Sequence, residues 1–370
     1  MPELWLNYGS TDIVLDIRVE NLLKVENPNF LILEDEFVEQ TLSSIVIKED
    51  TSVIPLDYSR GVLDILNRIV ENSKRDGQRI IIESIPTTSK ILTKVFSNNA
   101  VQFNGDEDYF VKKIATKNTL FISGATLDPV FGFAGVPTKL TRKLHEPMLA
   151  AYDSRDRNTP NSGIEGTPTK IAIETCENAE AMSIELLSNN QGICYISKGN
   201  INDSYKESIN RFRSLLLSSA DLSVKSMIVT SNDNAFSDLT LSSSLNDLWN
   251  SIHVLRSNGK AILVSESKLG LGSQALQEFI KGKLNVDACY NKRTYMDGME
   301  HVLFSNELRQ RYGLGILTTL PRLYLSKLGF SAYSNIQEVL DKLLEVGGRQ
   351  NKILIVYDSN KTAFENQVKL

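Results

Sequence analysis

Imidazole and thiol are scarce in this chain, which has three histidines and three cysteines among 370 residues. Cys176, Cys194 and Cys289 are too scattered for a disulfide framework and no two have metal-ligand spacing, so three reduced thiols are expected. His145, His253 and His301 are too dispersed for a multi-histidine metal centre, and no metal ligand is assigned. Basic charge is not in excess: 40 Lys+Arg stand against 45 Asp+Glu, a formal net charge of −5. A chain of that balance lacks the cationic face that neutralises a phosphate backbone, so nucleic acid is not an expected partner. No apolar run approaches the ~20 residues of a membrane-spanning helix. The stretch Met1–Tyr8 has no basic region followed by an apolar core. Neither a signal peptide nor a membrane association is expected, and the expected location is cytoplasmic. Also missing are HExxH, a nucleophile elbow, a Walker A loop and a dinucleotide fingerprint.

What is present is ordinary globular composition, 41% apolar and 23% charged. At roughly 100–200 residues per domain the length accommodates about two domains. Short β-branched runs alternate with helical periodicity. The run 52–56 precedes a helix over 61–74, where Val62, Ile65, Leu66, Ile69 and Val70 follow the i, i+3, i+4 rule. Strands are predicted at 79–82 and 119–123. The polar stretch 151–169 reads as a long loop or lid, followed by a helix over Ile171–Leu186, a strand and turn over 192–200, and a helix over 206–217. A second set begins near Ser226: strands at 227–230, 260–264, 315–318 and 352–357, with helices over 239–255, 274–281 and 336–345. The expected fold is two α/β domains, with largely parallel sheets and flanking helices, separated by a cleft; the domains are 1–220 and 221–370. Open α/β sheets bind ligands at the carboxyl ends of their strands, which singles out the segments 57–60, 84–89, 232–238 and 265–272.

Asp57-Tyr-Ser-Arg60 follows a strand and opens a helix. Asp57 or Ser59 would cap that helix, whose first amides favour an anion, and Arg60 would add a bidentate contact; a plain cap with a surface arginine fits equally. Phe131-Gly-Phe-Ala-Gly135 leads to Lys139, either a glycine-rich anion cradle or a tight turn with a solvated lysine. Lys139 and His145 are the candidates for catalysis, although a surface or capping role suits His145 as well. His253 falls in a predicted helix, and His301 has no partner that the sequence identifies.

Taken in order, several segments resemble the nickel-dependent lactate racemase family, whose members racemise or epimerise 2-hydroxy acids with a nickel-pincer nucleotide. Asp57-Tyr-Ser-Arg60 is similar to its Asp-x-Thr-Arg-Pro stretch, and Phe131-Gly-Phe-Ala-Gly-Val-Pro-Thr-Lys139 to a shortened copy of its His-x-Phe-Ala-Gly-x-Ser-Gly-Gly-x-Lys signature. The segments 184–192 and 199–200 resemble its strand-turn-strand, 231–238 its Asn-Gly-Gly-x-Pro-x-Asp loop, and 259–264 with 270–272 its strand and Asp-Gly-x-Gly turn. The likeness spans about residue 10 to about 358. It implies cofactor contacts at Asp57, Ser59, Arg60 and Lys139, with Lys139 at the cofactor-attaching position. It also implies substrate contacts at Asn232, Asn234, Asp238, Ser243 and Asn246.

The departures carry as much information. The two catalytic histidines of the family fall near Val130 or Phe131 and within Ile85-Pro-Thr-Thr88, and its nickel-ligand histidine falls near Ser154 or Arg155. None of these positions holds an imidazole, so the ligands of the nickel-pincer nucleotide are lost and the actual cofactor is open. The expected function is a non-catalytic descendant that binds a nucleotide, a small anion or a protein partner in the cleft. The alternative is a 2-hydroxyacid racemase or epimerase with altered catalytic residues.

Overall fold

The computed structural model describes residues 3–364 except 29, 46, 85–91, 93–95, 97–99, 103–104, 217–222, 231–238, 292 and 363. Strands β1 (Glu3–Tyr8) and β2 (Thr11–Asp16) form an antiparallel hairpin turned at Gly9, which takes a positive φ. Strand β3 is Leu22–Glu26. The next strands are β4 (Thr51–Pro55), β5 (Ile80–Ser84), β6 (Ala100–Gln102), β7 (Thr119–Gly124), β8 (Thr126–Asp128), β9 (Gly132–Ala134), β10 (Met182–Ser188) and β11 (Ile193–Asn200). The last are β12 (Val224–Thr230), β13 (Leu255–Val264), β14 (Gly313–Leu317), β15 (Ser331–Tyr333) and β16 (Ile353–Tyr357).

Two six-stranded sheets result, ordered β11-β10-β7-β4-β5-β6 and β15-β14-β13-β12-β16-β3. The second is parallel throughout, and the first is parallel except for the β10–β11 pair. Central strands such as Ile80–Ser84 and Ile353–Tyr357 are apolar along most of their length because helices cover both faces. Helix Arg60–Arg75 shows the pairing of pattern and packing: Val62, Ile65, Leu66, Ile69 and Val70 are all buried, in one cluster with Ile82, Ile122 and Leu186.

Four expectations need correction. The first concerns the division at 220, which would separate β3 from its own sheet: β3 pairs in parallel with β16, and Leu6, Leu15 and Ile17 pack in one cluster with Ile228, Ile262 and Ile355. Nor does the other edge of that division hold at the core. Val130, Phe131, Met148 and Tyr152 lie in the same apolar cluster as Trp249, Leu263 and Phe304, so part of the chain before residue 220 packs into the core of the second sheet.

The second correction is the helix expected over Ile171–Leu186. The helix is Thr167–Thr175, and Met182–Ser188 is strand β10. Ile184, Leu186 and their neighbours satisfy either period over so short a run, and pairing with β7 decides for the strand.

Third, the stretch 151–169 is not a free lid. Ser162 and Arg155 are buried, and the Arg155 guanidinium donates to the carbonyl oxygens of Tyr152 and Cys289. Fourth, the helix expected over 239–255 is Leu241–Ser251, followed by one tight turn over Ile252–Val254. The three cysteines are unpaired and buried.

Candidate functional site

In the first sheet the chain runs outward from β4 to β5 and β6, then returns to place β7 on the other side of β4. The gap between the carboxyl ends of β4 and β7 is therefore a topological switch point, where open α/β sheets leave a crevice. Pro55 closes β4, since it has no N–H for a further ladder bond, and the chain turns through Asp57 into helix Arg60–Arg75. Asp57 Oδ1 accepts the Ser59 amide at 3.1 Å, a local Asx turn. Its Oδ2 reaches across the switch point and accepts the Gly124 amide at 2.7 Å, at the end of β7.

Lys139 enters the same place from helix Val136–Thr141, whose Pro137 sits in the first turn, where a missing N–H costs nothing. Its Nζ donates to Asp57 Oδ2 at 2.6 Å, to Ser123 Oγ at 2.7 Å and to the Gly124 carbonyl at 2.8 Å. Those three contacts use the three hydrogens of an ammonium group. Burial works to raise the Asp57 pKa, but the Lys139 charge and hydrogen bond and the amides of Gly124 and Ser59 outweigh it and hold the carboxyl below its ordinary range.

Beneath this pair lies Glu185, fully buried within β10 and directly beside Ser123 in the β7–β10 register. Its Oε1 accepts the Val136 amide, whereas its Oε2 is buried with no hydrogen-bond partner among the described residues. Gly135 makes the space: a Cβ there would lie 2.8 Å from Glu185 Oε1 and 2.6 Å from the Tyr205 ring. Burial pushes the Glu185 carboxyl up to about 8, with the Val136 amide and Lys139 pulling the other way and Asp57 adding to the rise. The Ser59 hydroxyl is a second buried oxygen at this site with no hydrogen-bond partner among the described residues.

The structure thus brings Asp57, Ser59 and Lys139 together and leaves Arg60 out. The Arg60 guanidinium donates to the Asn190 carbonyl at 2.9 Å and lines a separate groove with Ile32, Asp64, Arg68 and Gln191. His145 is exposed at the start of helix His145–Asp153. Ser243 spends its hydroxyl on the Thr240 cap of helix Leu241–Ser251, and Asn246 is half-buried on the same helix. Asn232, Asn234 and Asp238 lie outside the described residues. His253 is pushed down to about 4 by burial, with Arg157 adding to the shift. His301 is buried too, and its Nδ1 accepts the Trp249 indole N–H at 3.0 Å.

Sequence reading missed Glu185 and Arg142. The Arg142 guanidinium bridges Asp128, at 3.0 and 3.1 Å, and Glu300 Oε1, at 2.7 Å, and lies over the Phe131 ring. Asp128 belongs to the β8–β9 hairpin and Glu300 to helix Met299–Leu308, so the triad ties the two halves of the molecule. At the carboxyl end of β16, Asp358 and Lys361 form a second buried ion pair, at 2.9 Å.

No protein-family model matches the sequence, and no curated protein matches it. Solved structures do. The lactate racemase apoprotein from Thermoanaerobacterium thermosaccharolyticum superposes with a TM-score of 0.68 at 11% identity, covering 98% of this chain and 100% of that one. The chain has a lactate-racemase-like fold. A Thermotoga maritima protein solved as a structural-genomics target gives a TM-score of 0.58 at 11% identity, over 86% of this chain and 94% of that one.

Within this lactate-racemase-like fold, the positions where the sequence resemblance expects imidazoles do not suit a nickel-bearing group. Val130 and Phe131 are packed into the large apolar cluster. The Ser154 hydroxyl donates to the Ala151 carbonyl, while the Arg155 guanidinium lies 3.8 Å from the Tyr152 ring centre and is held by backbone carbonyls. Residues 85–88 lie outside the described residues. Among the described residues, no group of three or more His, Cys, Asp or Glu side chains is placed to hold a metal ion.

Proposed function

We propose that this chain binds a small anion, a carboxylate or the phosphate of a nucleotide, at the β4–β7 switch point and does not racemise it. The observation that carries this reading is the state of Lys139: all three ammonium hydrogens are engaged by Asp57, Ser123 and Gly124. An amine so held is not a nucleophile. No imidazole among the described residues stands beside it to move a proton. The location at a switch point and the unpartnered Ser59 hydroxyl at the start of helix Arg60–Arg75 support an anionic ligand.

Two measurements test the reading. Chiral chromatography of lactate incubated with the protein, with and without added nickel-pincer nucleotide, is expected to show no change in enantiomer ratio. Turnover within the usual enzyme range of about 1–10³ s⁻¹ would overturn the non-catalytic part. Calorimetric titration with lactate, sulfate and a nucleoside monophosphate is expected to show binding of at least one of them. Lys139→Met leaves the Asp57 carboxylate unmatched at the switch point and is expected to weaken anion binding there about tenfold or more through like-charge repulsion.

A further inference from the structure

We propose that Glu185 serves this site as a neutral carboxylic acid, which donates its proton as a hydrogen bond to the bound anion and so couples anion binding to the retention of a proton. The inference rests on the anion-binding reading above and names the group that sets its ligand class and pH range.

Glu185 stands in the middle of β10, with no exposed surface, and shares a sheet face with Ser123, whose hydroxyl is bonded to Lys139. One carboxyl oxygen takes the Val136 amide, and the other takes nothing. An ionised carboxylate in that state would be a buried charge with an unsatisfied oxygen, among the costliest groups a protein interior can hold. Protonation removes the charge and turns Oε2 into a donor that lacks only an acceptor. An anion oxygen supplies one. A neutral acid also leaves the switch point free of a second negative charge, because the Asp57 charge is already matched by Lys139.

Among the described residues, four titratable groups face Glu185: Lys139, Asp57, Tyr205 and Cys176. Lys139, on helix Val136–Thr141, and Asp57, on the turn after β4, are a matched pair. Tyr205, on helix Ile201–Leu216, is held well above its ordinary pKa by burial, with Glu165 and Glu185 adding to the shift. Cys176, which follows helix Thr167–Thr175, is pushed up to about 12 by burial, with Glu185 adding to it. Both stay neutral through the physiological range, which leaves Glu185 as the group that changes charge there.

The test is the pH dependence of binding of lactate and sulfate, two anions that do not titrate in the range, by calorimetry in buffers of differing ionisation heat. Wild-type affinity is expected to be flat up to about pH 7 and to fall through the Glu185 transition near 8, approaching tenfold per pH unit above it, with one proton taken up per anion on the alkaline side. Glu185→Gln, which keeps a donor but cannot ionise, is expected to flatten the profile and abolish the proton uptake. Anion binding with a flat wild-type profile, or a slope that survives in Glu185→Gln, overturns the role of Glu185 and leaves the anion-binding reading intact. Absence of binding by the wild-type protein overturns both. Should the variant fail to fold, ¹³C NMR titration of the wild-type glutamate carboxyls decides the matter: a buried carboxyl titrating near 8 supports the assignment, and none titrating above the ordinary glutamate range overturns it.

Discussion

Arg142→Met is expected to destabilise the fold by about 3–5 kcal/mol at neutral pH, the scale for removing one partner of a buried ion pair. The substitution leaves Asp128 and Glu300 facing each other across the interior with side chains 8% and 2% exposed and no cation between them. The amides of Val130 and Phe131 remain on Asp128, and the Tyr295 hydroxyl remains on Glu300, so hydrogen bonding is only part of what is lost. Burial raises the Glu300 pKa, but Arg142 outweighs it, so the group sits below its ordinary value of 4.5. A carboxyl depressed in the folded state contributes stability that is present above the unfolded value and disappears as pH falls through the folded one. The gap between wild type and variant is therefore expected to narrow as the pH falls below about 4.5. Urea unfolding across pH measures it, and adding Glu300→Gln to Arg142→Met is expected to recover part of the loss. A single-variant loss under about 1 kcal/mol would show that the triad is not the tie described here.

Glu185→Gln is expected to act in the opposite direction. The folded protein holds a proton on this carboxyl up to about pH 8, whereas the unfolded chain releases it near 4.5. Between those values the folded state binds more protons, so wild-type stability falls as pH rises through the window. Glutamine carries no such proton. At 1.36 kcal/mol per pKa unit, the stability of Glu185→Gln relative to wild type is expected to rise across that window by an amount on the order of 5 kcal/mol. Parallel stability curves for the two proteins would contradict the assignment of a raised carboxyl.

The parts of this site that were legible in the sequence are those with local causes. Asp57 ends a strand and opens a helix, and Lys139 follows a glycine-rich turn, so spacing alone marks both as residents of a strand's carboxyl end. Arg60 was read with them because it is next in sequence, but the first turn of its helix points it to Asn190 instead. Glu185 was illegible for a different reason. It fell inside the helix expected over Ile171–Leu186, where a glutamate between isoleucine and leucine gives no sign of burial, and only the pairing and packing of β10 place it in the interior. Arg142 and Glu300 are 158 positions apart, beyond any periodicity argument. The β-α alternation and most of the strands were read correctly for the converse reason, since each depends on a few neighbouring residues.

The membership of β3 in the second sheet was equally invisible. Asn21, just before it, donates to the Arg349 carbonyl across 328 positions of chain. The consequence is an order of events. The strands of the first sheet lie between residues 51 and 200, one continuous stretch of chain. The second sheet cannot close until Ile353–Tyr357 has been made and meets Leu22–Glu26. During synthesis the hairpin therefore waits with Leu6, Leu15 and Ile17 uncovered while the first sheet assembles behind it. In chain order the first sheet is inserted between two pieces of the second. A chain cut at residue 220 is expected to keep the first sheet but expose an orphaned apolar hairpin, readable as dye binding and aggregation that removal of residues 1–28 relieves only in part, because Val130, Phe131, Met148 and Tyr152 also lose their cover.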